Sequence, residues 1–446
     1  MASSCVLDEL SASEYSVIPR LSILEKTDQS ACVDCIVGSM SRALICFVVL
    51  VKLSCAQQSD VSTLRNDSHL SMNPTPSISQ VNKAISLAAG YLENACGPEG
   101  KFKYAVSTRT RQESESYNIV RHAGAIYALA MYNRSKPDRK AVEAMVRAAR
   151  FMQKNYVRPG ERYGQLAVRS ESIGPRSDGE LGPSALGLVA LAEVRKVAPR
   201  VVSLNELQGL GLFLLSLQRE DGSFVEKYNG ELGPQQLDNL YYPGEAALGL
   251  VELYEADHAH QWADAALRAL SSLAKDRGSL FITPPDHWFL IAAAELFSAC
   301  KNHCPAWSEN LPQYASKICD AIVREQLHNP SSFLDGAFDQ KGQTGPVAAR
   351  MEGLLAVMRT VSDNALCSKM NATVKLGVAF LLRAQIKAGP FAGGLPTAVL
   401  AGTPESSEIR IDNVQHALTS WLVYEHLAIR GAKPAPNDCS QQIAWR

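Results

Sequence analysis

From residue 81 onward, apolar side chains recur at i, i+3 and i+4 along nearly every long segment, and no stretch sustains a period-two alternation. The spacing predicts twelve helices, over 81–96, 116–133, 138–157, 183–197, 203–220, 243–257, 260–276, 285–301, 308–327, 346–362, 364–386 and 411–430. Odd-numbered segments carry charges among the apolar positions, as in DRKAVEAMVRAARFMQK. Even-numbered segments are rich in small residues and apolar on most faces, as in GPSALGLVALAEV. A helix apolar all round is enclosed by protein, whereas an amphipathic one borders water. The even set is therefore expected to form an inner ring and the odd set an outer one.

The even segments align in one frame starting at Arg121, Pro183, Gly244, Asp286, Ala348 and Asn413, with steps of 62, 61, 42, 62 and 65 residues. This is an internal repeat of helix pairs. Six such pairs either extend as a solenoid or close on themselves and bury every inner face. Loop lengths favour closure. Connections from inner to outer helices are short, while five of the six from outer to inner are long and open at one end, where a rigid scaffold commonly carries its site. The expected fold is all-α, an (α/α)6 toroid over 81–430, followed by a tail over 431–446.

Two outer helices end alike, in Gln218-x-x-x-Gly222-x-Phe224 and Gln385-x-x-x-Gly389-x-Phe391, echoed by Gly100-Lys-Phe102 and Gly160-Glu-Arg-Tyr163. The glycine permits a left-handed cap, and the aromatic packs back over the turn. These repeats and the paired helices resemble the α/α-toroid superfamily of terpenoid cyclases and protein prenyltransferases. Their architecture is shared with (α/α)6 glycoside hydrolases, glycan epimerases and polysaccharide lyases. The resemblance specifies architecture rather than activity.

Composition narrows the reading. The 446 residues carry 44 Lys+Arg against 45 Asp+Glu, a net charge of −1, which disfavours a nucleic-acid partner. A hydrophobic share of 46% with a mean hydropathy of −0.08 describes a folded globular chain and excludes a polytopic membrane protein.

Near the amino end, Arg42, the apolar run 43–51 and Ser54-Cys55-Ala56 have the order of a secretory signal peptide, read as 40–56 with Met40 as the working start. Residues 1–39 then read as an over-extended start and 57–80 as a flexible linker. The mature chain is expected to be exported, periplasmic or secreted, without a transmembrane segment. Lys52 disfavours lipidation of Cys55. Six cysteines remain after such cleavage (Cys96, Cys300, Cys304, Cys319, Cys367, Cys439), an even number compatible with disulfides.

The first turns of the inner helices supply the candidate chemistry. The proposed catalytic set is Glu245, His122, Arg121, Tyr242 and Asp412. Substrate contacts are expected from Tyr117, Asn118, Tyr241, Asp286, His287, Trp288, Arg350, Glu352, Arg410 and His416, with Asp178, Glu180, Asp238 and Asn239 nearby. Each has a plain structural reading: ion pairs between neighbouring helices for Arg121, Glu245 and Asp412, a satisfied core histidine for His122, a helix-start carboxylate for Asp286. Aromatics flanking carboxylates and guanidinium groups nevertheless suit a sugar groove.

The leading expectation is a glycan-active enzyme. A hydrolase would use two carboxylates, with Glu245 as the protonated one. A lyase or epimerase on uronates would use Asn118 or Arg121 to neutralise the carboxylate and His122 or Tyr242 as base. The alternatives are a terpenoid-cyclase-like protein, disfavoured by the absence of D-x-D-D and D-D-x-x-D motifs, and a non-catalytic glycan- or peptide-binding toroid. No cofactor is indicated. His258-x-His260 and His303-Cys304 do not complete a four-ligand zinc spacing, so no metal site is expected. Substrate and oligomeric state are not encoded in any motif.

Overall fold

The computed structural model describes residues 75–170, 177–229, 233–300, 310–358, 360–361 and 363–430, all within one compact unit, Ser71–Arg446. The expected leader, signal peptide, most of the linker and the tail lie outside the described residues, as do His303 and Cys304.

Twelve α-helices appear among the described residues, one for each expected segment. They are α1 Ile78–Ala95, α2 Ile119–Ser135, α3 Arg139–Asn155, α4 Leu181–Val197, α5 Leu204–Leu217 and α6 Tyr242–Asp257. The second half holds α7 His260–Gly278, α8 His287–Ala299, α9 Asn310–Glu325, α10 Thr344–Val357, α11 Asn364–Ala384 and α12 Ile411–Arg430. Local chemistry sets their starts. Ser77 and Gln80 form a capping box on α1, and Asn118, Asp138, Ser203, Asp286 and Asp363 each accept amide hydrogen bonds at an N-terminus. These caps explain why α2 begins at Ile119 and α8 at His287, two or three residues later than periodicity alone suggests.

The even helices pack in the order α2–α4–α6–α8–α10–α12 and back to α2, so the inner ring closes. In α4 every residue from Leu181 to Val194 is buried, as an enclosed helix requires. Each odd helix from α3 to α11 packs outside the inner helix that precedes it, and α1 packs against α12, so the chain's first helix completes its last pair.

Outer helices are stitched by a recurring side chain at the carboxyl end. Gln218 Nε2 donates to the Ala265 carbonyl of α7 at 2.9 Å, Gln326 Nε2 to Thr373 of α11 at 3.0 Å, and Gln385 Nε2 to Ala84 of α1 at 2.9 Å. Cys96 takes the equivalent place on α1, its Sγ 3.5 Å from the Ala144 carbonyl of α3. The glutamine of the sequence repeat is thus a link between neighbouring pairs, a role its spacing did not disclose. In the same turn Gly222, at φ +88°, lies so close to the Arg268 carbonyl that a side chain would collide with it. After α11 that close approach falls to Gly393 against Leu87, and Gly389 touches nothing.

The expectation of no strands requires correction. Seven short strands form three small sheets: β1 Ala105–Ser107 with β7 Glu408–Arg410; β2 Val157–Pro159 with β3 Leu166–Val168; and β4 Ser177–Glu180, β5 Lys227–Asn229 and β6 Gly233–Gln235 in that order. All pairings are antiparallel. Strands of three or four residues are too short for alternation to register. All lie in the outer-to-inner loops. The β1–β7 pair joins the first such loop to the last, and β4–β5 joins the second to the third, so the sheets wall the end of the ring at which the inner helices begin.

Candidate functional site

The first two inner helix starts are occupied by structural contacts. Asn118 Oδ1 accepts from the Val120 and Arg121 amides at 2.9 and 3.2 Å and serves as the α2 cap. Tyr117 donates its hydroxyl to, or accepts from, His122 Nδ1 at 2.6 Å, and His122 Nε2 lies 3.0 Å from the Ala148 carbonyl of α3. Phe102 and Phe151 pack on the same imidazole. His122 is fully buried in this seam between α2 and α3, with both nitrogens engaged, and burial lowers it to about 4 despite the Ala148 contact. The base role expected for His122 is therefore corrected to that of a satisfied core histidine.

Arg121 and Asp412 join the first turns of α2 and α12. Arg121 Nε lies 3.1 Å from Asp412 Oδ2, and Arg410 Nη2 reaches the same oxygen at 3.3 Å. Arg121 also donates to the Tyr104 hydroxyl and sits over that ring. Burial pushes the Asp412 carboxyl up, but Arg121, Arg410 and His416 outweigh it and hold the group below the usual carboxylate range. Asp412 is thus a poor general acid, and the pair locks neighbouring helices at the rim.

Asp286 is similarly committed. It caps α8 through the Phe289 amide at 3.0 Å and takes Arg277 Nη1 at 2.6 Å. Glu180 begins α4 beside Lys227, 3.7 Å away, and Asn239 Oδ1 accepts from the amides of Tyr241 and Tyr242 as α6 begins. Asp238 adopts a left-handed turn, and the side chain of Asp178 lies outside what is described. Arg350 stacks on Phe338, its guanidinium carbon 4.6 Å from the ring centre, and reaches Glu325 at 3.3 Å.

What remains converges on the ring axis. His287 of α8, Glu352 of α10 and His416 of α12 place donor atoms all within 4.8 Å of one another. His416 Nδ1 lies 2.5 Å from Glu352 Oε2, and His287 Nε2 lies 4.0 Å from the same oxygen. Thr419 donates its hydroxyl to Glu352 Oε1 and fixes the carboxylate. The two imidazoles meet edge to face with centroids 5.3 Å apart. Trp288 packs against both, at 4.9 and 6.1 Å, and Tyr241 closes edge-on over His287 at 5.0 Å. Neither nitrogen of His287 has a hydrogen-bond partner among the described residues, although the side chain is 2% exposed.

The environments of the two imidazoles differ. Burial, His416 and Arg350 all push His287 well below the ordinary imidazole value. Burial pulls His416 the same way, but Glu352 and Asp412 more than reverse it. One turn into α6, Glu245 is buried with Oε2 unpartnered, and burial followed by the nearby Asp286 raises its carboxyl well above the usual range. Tyr242 is half-buried, its phenol raised by burial and then by Glu245, which makes it a poor base at neutral pH.

The same closed ring is seen in solved proteins. A cellobiose 2-epimerase from Bacillus thermoamylovorans B4167 superposes with a TM-score of 0.58 over 77% of this chain and 98% of its own, at 12% identity. The chain is an (α/α)6 toroid. A D-mannose isomerase matches at 0.59 over 79% and 98% with 11% identity, and the GH76 α-mannanase BT2949 of Bacteroides thetaiotaomicron at 0.55 over 79% and 97% with 13%. These neighbours are carbohydrate-active toroids, and at such identities they establish the fold alone. No family model matches the chain, and no curated protein matches it in sequence.

Sequence reasoning found every member of the axial trio but scattered them among fifteen candidates, and it did not find Thr419 or Tyr104. The discriminating signal was register: Glu352, His416 and Thr419 sit where α10 faces α12, which requires knowing that the two helices are neighbours.

Proposed function

We propose that this toroid acts on a free or reducing-end sugar by moving the proton on the carbon beside the carbonyl, as an aldose epimerase or an aldose–ketose isomerase. The observation that carries the reading is the edge-to-face pair of His287 and His416 on the axis, 5.3 Å apart and braced by Glu352. Two titratable groups held in opposite protonation tendencies at one point are the usual arrangement for an acid and a base.

His287, neutral and without a hydrogen-bond partner, takes the proton from the carbon next to the open-chain carbonyl. The C–H bond breaks, its electrons form the enediolate, and the proton resides on His287. His416, whose proton Glu352 favours, donates a hydrogen bond to the carbonyl oxygen as charge develops there. Reprotonation of the same carbon from the opposite face by His416 inverts it, leaving the abstracted proton on His287 to return to His416 through solvent. Reprotonation of the former carbonyl carbon, with proton movement between the oxygens, gives the ketose. Tyr241 and Tyr242, both half-buried, supply the apolar faces on which a sugar ring or chain rests, with the enclosed Trp288 backing the two imidazoles. Neighbours described as a cellobiose 2-epimerase and a D-mannose isomerase support this chemistry.

The lyase reading loses its residues, since Asn118 caps a helix, Arg121 pairs with Asp412 and His122 is engaged. Hydrolysis retains one supporting observation, the buried, unpartnered Glu245 carboxyl, which suits a general acid. Export is part of the proposal, resting on the signal-like segment and on the disulfide-bonded state of Cys300 and Cys367.

Chromatography of a panel of mono- and disaccharides incubated with the protein tests the reading. Interconversion of aldoses or of aldose and ketose without chain cleavage is expected. Release of new reducing ends, abolished by Glu245→Gln, would establish hydrolysis instead.

A further inference from the structure

We propose that His287, Glu352 and His416 also form a capture site for a zinc-type divalent transition ion, which switches the proton-transfer site off. The donors come from three consecutive inner helices, assembled by the packing of α8 and α12 on either side of α10. Two imidazoles and one carboxylate are a ligand set favoured by zinc, cobalt and nickel over magnesium or calcium.

The geometry is close to what an ion requires. A tetrahedral ion with ligands at about 2.0–2.1 Å holds its donors about 3.3 Å apart. Here Glu352 Oε2 lies 2.5 Å from His416 Nδ1 and 4.0 Å from His287 Nε2, and the three donors span up to 4.8 Å, so binding shifts the carboxylate toward His287 and draws the two imidazoles together by about 1.5 Å. His287 supplies the independent sign of a ligand. Its two nitrogens are buried without partners, a costly state that a metal bond relieves.

The surroundings complete the site. Thr419 anchors the second carboxylate oxygen, the kind of outer contact that orients a metal ligand, and Trp288 and Tyr241 fix the plane of His287. Gln415 Nε2 lies 3.2 Å from His416 Nδ1 and turns aside on binding. Of the nearby cations, Arg350 is drawn toward Phe338 and Glu325, and Arg121 is neutralised by Asp412. His416 is half-buried and the most exposed of the three donors, so the fourth position lies on its side. An ion at this point occupies the lone pair that His287 needs as a base. The inhibitory consequence rests on the proposed function, whereas binding itself does not.

The full chain, untagged and stripped by chelator, is titrated with Zn2+ by calorimetry and with Co2+ by visible absorption. One ion per chain is expected, with an intense low-symmetry Co2+ spectrum. His287→Asn and His416→Asn are each expected to abolish the spectrum, and Thr419→Val to weaken affinity about 10- to 100-fold. A variant combining His258→Asn and His260→Gln, which removes the histidine pair between α6 and α7, should bind as the parent does. The inference is overturned by absence of binding, or by binding that survives both axial substitutions. Sugar interconversion by the stripped protein separates the two ideas. Binding without interconversion in any condition removes the proposed function and keeps the site. Interconversion with no Zn2+ binding does the reverse.

Discussion

His416 Nδ1 stands 2.5 Å from Glu352 Oε2 across the α10–α12 contact, and that bond is the largest of the influences that set the two axial histidines apart. The carboxylate stabilises a proton on His416, while His287, at 4.0 Å from the same oxygen, receives no such hydrogen bond. Glu352 is therefore a positioning residue. Glu352→Gln retains the shape and removes the charge, and we expect kcat/KM for sugar interconversion to fall about 100-fold, chiefly in kcat. An unchanged far-ultraviolet circular dichroism spectrum identifies the loss as chemical. Equal kcat in the variant would place the acid elsewhere.

The rim pair of Arg121 and Asp412 has a different signature. Arg121→Ala leaves a nearly buried carboxylate with Arg410 as its remaining close cation, and we expect a stability loss of about 2 kcal/mol. That is below the ~3–5 kcal/mol of fully buried pairs, because the Arg121 side chain is 28% exposed. Adding Asp412→Asn should restore part of it. Denaturant unfolding of the single and double variants checks the coupling, and strict additivity would show that the two residues do not interact.

At the opposite end of the inner ring, α2, α4, α6 and α8 bring together Arg134, Glu193, Lys196, Glu252, Glu255 and Glu295. Burial, followed by Glu255, pushes Glu295 up to about 7. Burial pushes Glu252 to about 8, with Lys196 opposing and Glu193 and Glu255 reinforcing. Folded values above the unfolded ones mean that their stabilising contribution is complete below the ordinary carboxyl value and is lost as pH rises through about 7 to 8. Tm should therefore fall between about pH 5 and about pH 8 and level off above it, and Glu295→Gln should flatten the slope. A Tm that climbs over this interval contradicts the assignment.

The glutamine stitches between outer helices make a further prediction. Gln218→Ala removes the donor to the Ala265 carbonyl and should cost about 1–3 kcal/mol, more than an exposed polar truncation, because the acceptor stays enclosed. Asn155→Ala, whose exposed amide reaches the Phe151 carbonyl at the end of α3, should cost less than about 1 kcal/mol. Equal effects in unfolding experiments would mean that the stitch carries no special weight.

The architecture was legible because closure leaves a mark on single helices. A segment such as α4, buried from Leu181 to Val194, cannot lie at a surface, and six such segments in one frame, with long loops gathered at one end, favour a ring over a solenoid. The long loops likewise identified the open end, although strands as short as Ala105–Ser107 left no trace. The site was less legible. Periodicity places His122 and His416 at comparable depths of their helices, yet His122 turns outward onto Ala148 and His416 turns along the ring to Glu352. That distinction belongs to the rotation of each helix against its neighbours, a tertiary quantity. The charged residues of the first turns were read as chemistry when most are caps and ties, because a carboxylate at a helix start serves both purposes equally well in sequence.

The most direct test of the axial pair follows the proton itself. Proton NMR of candidate aldoses with the protein in D2O should show loss of the signal from the hydrogen beside the carbonyl as deuterium enters, together with the epimer or ketose. His287→Asn and His416→Asn should each slow that exchange by about 100-fold or more while the fold persists. Exchange that proceeds undiminished in both variants, or sugars consumed with that hydrogen fully retained, would contradict the account.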